Sequence, residues 1–167
     1  MNKFFKTALV VGGLVAAGGA YAGTATTNFP VSTTVLATCQ VTASAMGFAN
    51  FAPGGPAVDQ TSTINVRCTT GLSYSVGLDA GAFGGATVTT RRMTGTPSGA
   101  LEYFLYSDAG RTTNWGNTIL TDTVAGLGVG MGAGNNHTVY GRVPNSVANQ
   151  LAAAGNYLDT VGVTVTY

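Results

Sequence analysis

The sequence predicts an all-β fold, a sandwich or barrel of short strands, on three observations. Runs rich in Val, Thr and Tyr alternate apolar with polar residues. Gly- and Pro-containing turn signals separate these runs at intervals of roughly 8–15 residues. No stretch of the body sustains a helical period.

Residues 1–22 read as an export leader rather than as part of the fold. Lys3 and Lys6 form a short basic region, and Ala8 to Ala17 is apolar but too short to span a bilayer as a helix. Ala20-Tyr21-Ala22 fits the small-x-small cleavage pattern, which places the mature N-terminus at Gly23. The remaining 145 residues suit one domain, 36–167, preceded by an arm over 23–35.

The arm reads as an amphipathic strand. Period two puts Ala25, Thr27, Phe29, Val31, Thr33 and Val35 on one face and Thr24, Thr26, Asn28, Pro30, Ser32 and Thr34 on the other. Pro30 has no N–H to give a ladder, so it belongs at an edge or a non-donating position. No hairpin turn joins the arm to a partner, and a lone amphipathic strand buries nothing. Two readings remain open. The arm is an ordinary first strand of its own domain, or it adds to the edge of a neighbour's sheet. A head-to-tail contact of the second kind does not close on itself and propagates as a filament.

The body carries five alternating runs: Ile64-Asn-Val-Arg-Cys68, Tyr74-Ser-Val-Gly-Leu78, Leu101 to Tyr106, His137 to Val143 and Val161 to Tyr167. The last alternates up to the final residue, with Val161, Val163, Val165 and Tyr167 on one face. Pro53-Gly-Gly-Pro56, Gly81 to Gly85, Thr96-Pro-Ser-Gly99, Ser107-Asp-Ala-Gly110 and Ala154-Gly-Asn156 supply the turns. Ser146 to Ala154 allows one or two helical turns, entered by Pro144 and stopped by Gly155. Gly126 to Gly134 has glycine at every second position. It reads either as a strand whose bare face lets another backbone approach closely or as a flexible loop. It lacks the spacing and strand–helix context of a phosphate loop.

Two cysteines in an exported chain read as one disulfide, Cys39 to Cys68. No CxxC and no His cluster favours a redox or metal role for them. Once Lys3 and Lys6 are removed, five arginines face six acids, a net charge of −1. That balance offers no basic face to nucleic acid. With only 8% charged residues, little repulsion keeps copies apart, and the composition suits association.

No catalytic site is expected. His137 is the chain's one histidine, and nothing in the sequence places a nucleophile or a carboxylate beside it. It reads as a surface or strand-end residue. Asn136-His-Thr138 matches a glycosylation sequon, a triplet common by chance. Trp115 reads as a core or loop-closing residue, with sugar stacking as the rival. Arg91-Arg92 is too small to form a basic patch, and Glu102 with Asp108 makes no evident acid pair. No metal or cofactor ligand set is expected, and no small-molecule substrate.

Several motifs recur in a fixed order: Cys39-Gln-Val41, Ile64 to Gly71, Tyr74 to Gly81, Arg92-Met93, Leu101 to Asp108, Thr113-Asn-Trp-Gly116, Val139 to Pro144 and Gly155 to Thr160. From about Phe29 to Tyr167 the chain resembles the spore coat protein U domain family, which includes subunits of archaic chaperone–usher pili as well as spore coat proteins. The resemblance implies an incomplete immunoglobulin-like β-sandwich that lacks its last strand. A donor strand completes it, lent first by a periplasmic chaperone. The arm of the next copy then replaces that strand at an outer-membrane usher. On this reading Ala25, Thr27, Phe29, Val31, Thr33 and Val35 form the donor strand. Val161, Val163, Val165 and Tyr167 form the last strand beside the acceptor groove.

The product would be a cell-surface pilus supporting adhesion and biofilm formation, with this chain as a single-domain shaft subunit. The rivals are a spore or cyst coat protein assembled without an usher and a monomeric carbohydrate-binding module using Trp115. An eight-stranded outer-membrane barrel is the rival fold, but its strands should alternate over roughly 9–11 residues, and most runs here are shorter.

Overall fold

The structure is a computed structural model that describes residues 22–167. All but Ala22 of the leader read over residues 1–22 lies outside the described residues. The chain divides into two units, residues 1–34 and 35–167. The described part of the first unit has no strand, and each of its residues is exposed.

Ten strands and one helical turn follow. They are β1 (Cys39–Ala43), β2 (Val58–Cys68), β3 (Ser73–Leu78), β4 (Arg92–Thr96), β5 (Ala100–Glu102), β6 (Phe104–Tyr106), β7 (Val124–Leu127), β8 (Asn135–Val143), α1 (Val147–Gln150), β9 (Asn156–Leu158) and β10 (Val163–Thr166). They form three antiparallel sheets, in the orders β1-β2-β8-β6, β10-β3-β7 and β5-β4-β9. The sheets are open, so the barrel reading gives way to a sandwich.

The core follows the two-residue period of the strands. β2 turns Ile64, Val66 and Cys68 inward, β3 turns Tyr74, Val76 and Leu78, and β8 turns Val139 and Val143. The run Leu101 to Tyr106, which reads as one strand, is split between two sheets. β5 pairs with β4, β6 pairs with β8, and Tyr103 between them gives its N–H to Arg91 O at 3.1 Å. Leu101, Tyr103 and Leu105 all still face the core, so the alternation survives the change of sheet.

Cys39 and Cys68 are register partners at one end of the β1–β2 ladder and are joined by a disulfide. The helical turn is capped by Ser146, whose hydroxyl accepts from Asn149 N. Asn149 is fully buried, and its side-chain amide accepts from Glu102 N and donates to Glu102 O and Pro144 O. It pairs with Glu102 as a neighbouring strand would.

The glycine comb is strand only as far as Leu127 and loop beyond it. A Cβ on Gly126 would fall 2.3 Å from Tyr74 Cζ, and one on Gly128 would sit 2.2 Å from Thr69 O. Its bare face therefore accommodates this chain's own side chains and backbone.

Candidate strand-binding groove

β1 ends the four-stranded sheet and β10 ends one of the three-stranded sheets. Among the described residues, neither strand has a partner on its outer edge. Between them, flanked by residues 43–53 and 152–161, lies an open cleft of about 990 Å³. Its floor is the core itself. Ile64, Leu78, Leu101, Leu105, Val139 and Val143 are all buried and all line it.

The cleft is lined mainly by apolar residues, and the free edges of β1 and β10 reach it at Ala43 and Val163. Backbone N–H and C=O groups demand partners. A row of them beside an apolar cleft is the template for an added strand.

The residues assigned to the last strand fall as follows. Val163 pairs with Leu78 and Val165 with Val76 across the β10–β3 ladder. Val161, Val163 and Val165 are half-buried against the core, while Thr164 and Thr166 are exposed. Val161 and Val163 line the groove. Tyr167 lies beyond the strand and is 58% exposed. Of the residues assigned to the donor strand, Ala25, Thr27, Phe29, Val31 and Thr33 belong to the first unit and Val35 opens the second. All are exposed, Phe29 at 80%.

A polar network braces the groove at the start of β10. Tyr103 OH donates to Asp159 Oδ2 at 2.5 Å, and Asp159 Oδ1 accepts from Ala82 N and Thr160 N. Asp79 Oδ1 accepts from Gly81 N and Gly162 N. Arg91, 0% exposed, donates to the carbonyls of Leu78, Asp79, Val88 and Trp115. Burial lowers the Arg91 pKa, against the pull of the nearby acids. Burial, reinforced by the Asp159 hydrogen bond, holds the Tyr103 phenol far above its ordinary range, so it stays a donor.

Sequence reasoning treated Arg91 as half of a weak basic pair and missed this network. The available signal was local. Asp79-Ala-Gly81 is an Asx-turn pattern in which the aspartate accepts from the N–H two residues on.

The second seam of the sandwich, between β6 and β7, is filled. Trp115 is 1% exposed there and donates its indole N–H to Val76 O at 2.9 Å. A buried ring cannot stack a sugar, which removes the carbohydrate-binding reading of Trp115. His137 is not a surface residue either. It lies half-buried on β8, within 2.9 Å of Tyr74 OH, with Trp115 at its edge. Asn135 donates to the same Tyr74 hydroxyl, and the imidazole tautomer sets which way the Tyr74–His137 hydrogen bond runs. Burial lowers the His137 pKa from its ordinary 6.5. Among the described residues, no three of His, Cys, Asp and Glu are grouped to hold a metal ion, and no buried side-chain N or O lacks a partner.

Comparison with known proteins adds to this geometry. The Spore Coat Protein U domain model matches residues 25–164. Protein U of Myxococcus xanthus is 36% identical, with 92% of this chain and 91% of that protein covered. Among solved structures, one similar chain comes from the CsuC–CsuE chaperone–tip adhesion subunit pre-assembly complex of archaic chaperone-usher Csu pili of Acinetobacter baumannii. The TM-score is 0.59 at 23% identity, over 80% of this chain but only 41% of that one.

Proposed function

Because the chain belongs to the Spore Coat Protein U domain family, we propose that it is a structural subunit that polymerises by donor-strand exchange into a surface fibre of the archaic chaperone–usher type. The observation that carries this is the open groove of about 990 Å³ at the Ala43 end of β1 and the Val163 end of β10, two strands whose outer edges are unpaired among the described residues. Such a groove is a costly feature for a lone soluble domain and a useful one for a polymer. Phe29, Val31 and Val35 of an arm seated in it would each contribute roughly 1.5–3 kcal/mol by burial. A main-chain ladder along β10 would set the register.

On this reading residues 1–22 direct export and are removed, and 23–35 form the donor arm. A periplasmic chaperone occupies the groove first, and the arm of another copy replaces it at an outer-membrane usher. Adhesion and biofilm formation are properties of the fibre, not of a ligand pocket in this subunit.

Deleting residues 23–34 should leave a chain that still binds the chaperone but cannot extend a fibre. The assay is electron microscopy of sheared surface material with this chain identified in the fibres. Fibres of normal length from the deletion would remove the donor role. A second reading is supported by the family description, Spore Coat Protein U domain: a spore or cyst coat subunit using the same groove without an usher. Chaperone and usher genes beside this one favour the pilus, and their absence favours the coat.

A further inference from the structure

We propose that residues 44–51 act as a placeholder in the groove of the unassembled chain, one that an arriving strand displaces. The inference rests on the strand-accepting reading above and concerns how that groove is regulated.

Main-chain pairing of this stretch with β2 stops early. Ser44 N donates to Thr63 O at 2.9 Å, and among the described residues, 45–51 make no backbone-to-backbone hydrogen bond. Two side chains of β2 tether the segment instead. Ser62 Oγ donates to Ser44 O at 2.6 Å, and Gln60 Nε2 donates to Gly47 O at 3.0 Å. The segment nevertheless has the period of a strand. Met46 and Phe48 are half-buried against the core, and Ala45, Gly47 and Ala49 are exposed.

The two inward side chains fill a specific notch. Gly141 is the inward position of β8 between Val139 and Val143. A Cβ there would fall 2.3 Å from Met46 Sδ and 2.8 Å from Phe48 Cζ. The Phe48 ring also lies 6.5 Å from that of Tyr103. The core floor is thus completed by the tips of two side chains from a segment that has a strand's apolar contacts without its ladder.

The occupant that fits is an extended strand from a second copy carrying an aromatic residue. The arm supplies this chemistry: Phe29 is its one aromatic residue, with Thr27 and Val31 two positions away on either side. Phe29 replaces Phe48 over Gly141. The incoming strand gains main-chain pairing along β10 that residues 45–51 do not have with β2, so the exchange runs toward assembly.

The test adds a fluorophore-labelled peptide of residues 23–36 to the full-length exported chain. Association is followed by anisotropy, and the exposure of Met46 is read as its rate of oxidation to the sulfoxide. Combining Gln60→Ala with Ser62→Ala removes the tethers and leaves the core intact. It should speed peptide uptake by about five- to tenfold, the scale of losing one ordinary hydrogen bond. Peptide binding should raise the oxidation rate of Met46, which leaves its place over Gly141. A Phe29→Ala peptide should bind about tenfold more weakly or worse.

Uptake unchanged or slowed in the untethered variant, or a Met46 oxidation rate unchanged or lowered on binding, would make the segment a fixed wall of the groove and overturn the placeholder. Equal affinity for the Phe29→Ala peptide would overturn the aromatic exchange. If neither the native chain nor the variant takes up any peptide, the strand-accepting reading falls and the placeholder falls with it.

Discussion

The two seams of the sandwich solve the same problem differently. At the β6–β7 seam the chain supplies its own filler. Trp115 N donates to Leu105 O and Ser107 N to Thr113 O on one side, while Leu78 N donates to Gly116 O on the other. Residues 113–116 thus bridge both sheets and set an indole between them. What remains is a space of about 220 Å³ beside His137. At the β1–β10 seam no segment makes such a bridge, and the cleft is more than four times larger. The lesson is that the fold can close a seam with a few residues and leaves one open. The contrast, more than either seam alone, points to a groove kept for a partner.

Several measurements would break or sharpen that contrast. Trp115→Ala strikes the sealed seam and should cost about 3–5 kcal/mol of stability by urea unfolding, as a large buried aromatic does. A small loss would mean the plug is ornamental and the two seams are alike. Replacing Cys39 and Cys68 together by Ser frees the end of β1 and should cost about 3–4 kcal/mol, the chain-entropy cost of a loop of about 30 residues. Peptide uptake at the open seam should suffer as well.

Val163→Thr on the open seam should behave in the opposite way to Trp115→Ala. Stability of the lone chain should change by about 1 kcal/mol or less, while uptake of the arm peptide falls about tenfold. Equal effects on both readouts would erase the distinction between the seams. The smallest effect should come from pH. Folding holds His137 below its ordinary 6.5, so its contribution is complete above that value and is lost as pH falls toward the folded-state pKa. Thermal unfolding in this range should show His137→Asn flattening the acid limb. An unchanged acid limb would mean that His137 is not what makes the sealed seam acid-sensitive.

The fold class was legible because inward residues recur every second position, and Ile64-Asn-Val-Arg-Cys68 and Tyr74 to Leu78 announce their buried faces directly. β4, β7 and β9 were not legible. Arg92 to Thr96 and Asn156 to Leu158 are only five and three residues long, and β7 is four residues with Gly126 inside it. Their strand character comes from the neighbours they pair with, not from propensity. In the groove, Val161 and Val163 were visible as the apolar face of an alternating run. Arg91, Asp79 and Asp159 were not, because the contacts that tie the elements together are distant in the chain: Arg91 with Trp115 O 24 residues away, Asp159 with Ala82 N 77 away and Asp79 with Gly162 N 83 away. The role of Gly141 was equally hidden, since a missing Cβ matters only once Met46 and Phe48 are seen to rest on it.

The bracing of β10 has a consequence for assembly kinetics. Asp79 holds Gly162, Asp159 holds Tyr103, and β3 pairs with each residue from Val163 to Thr166. On the proposed reading the β10 edge is a preorganised rail, and nearly all the disorder lost on docking would be lost by the visitor. Stiffening the visitor should then quicken capture, and Pro30, with its locked φ, already goes part of that way.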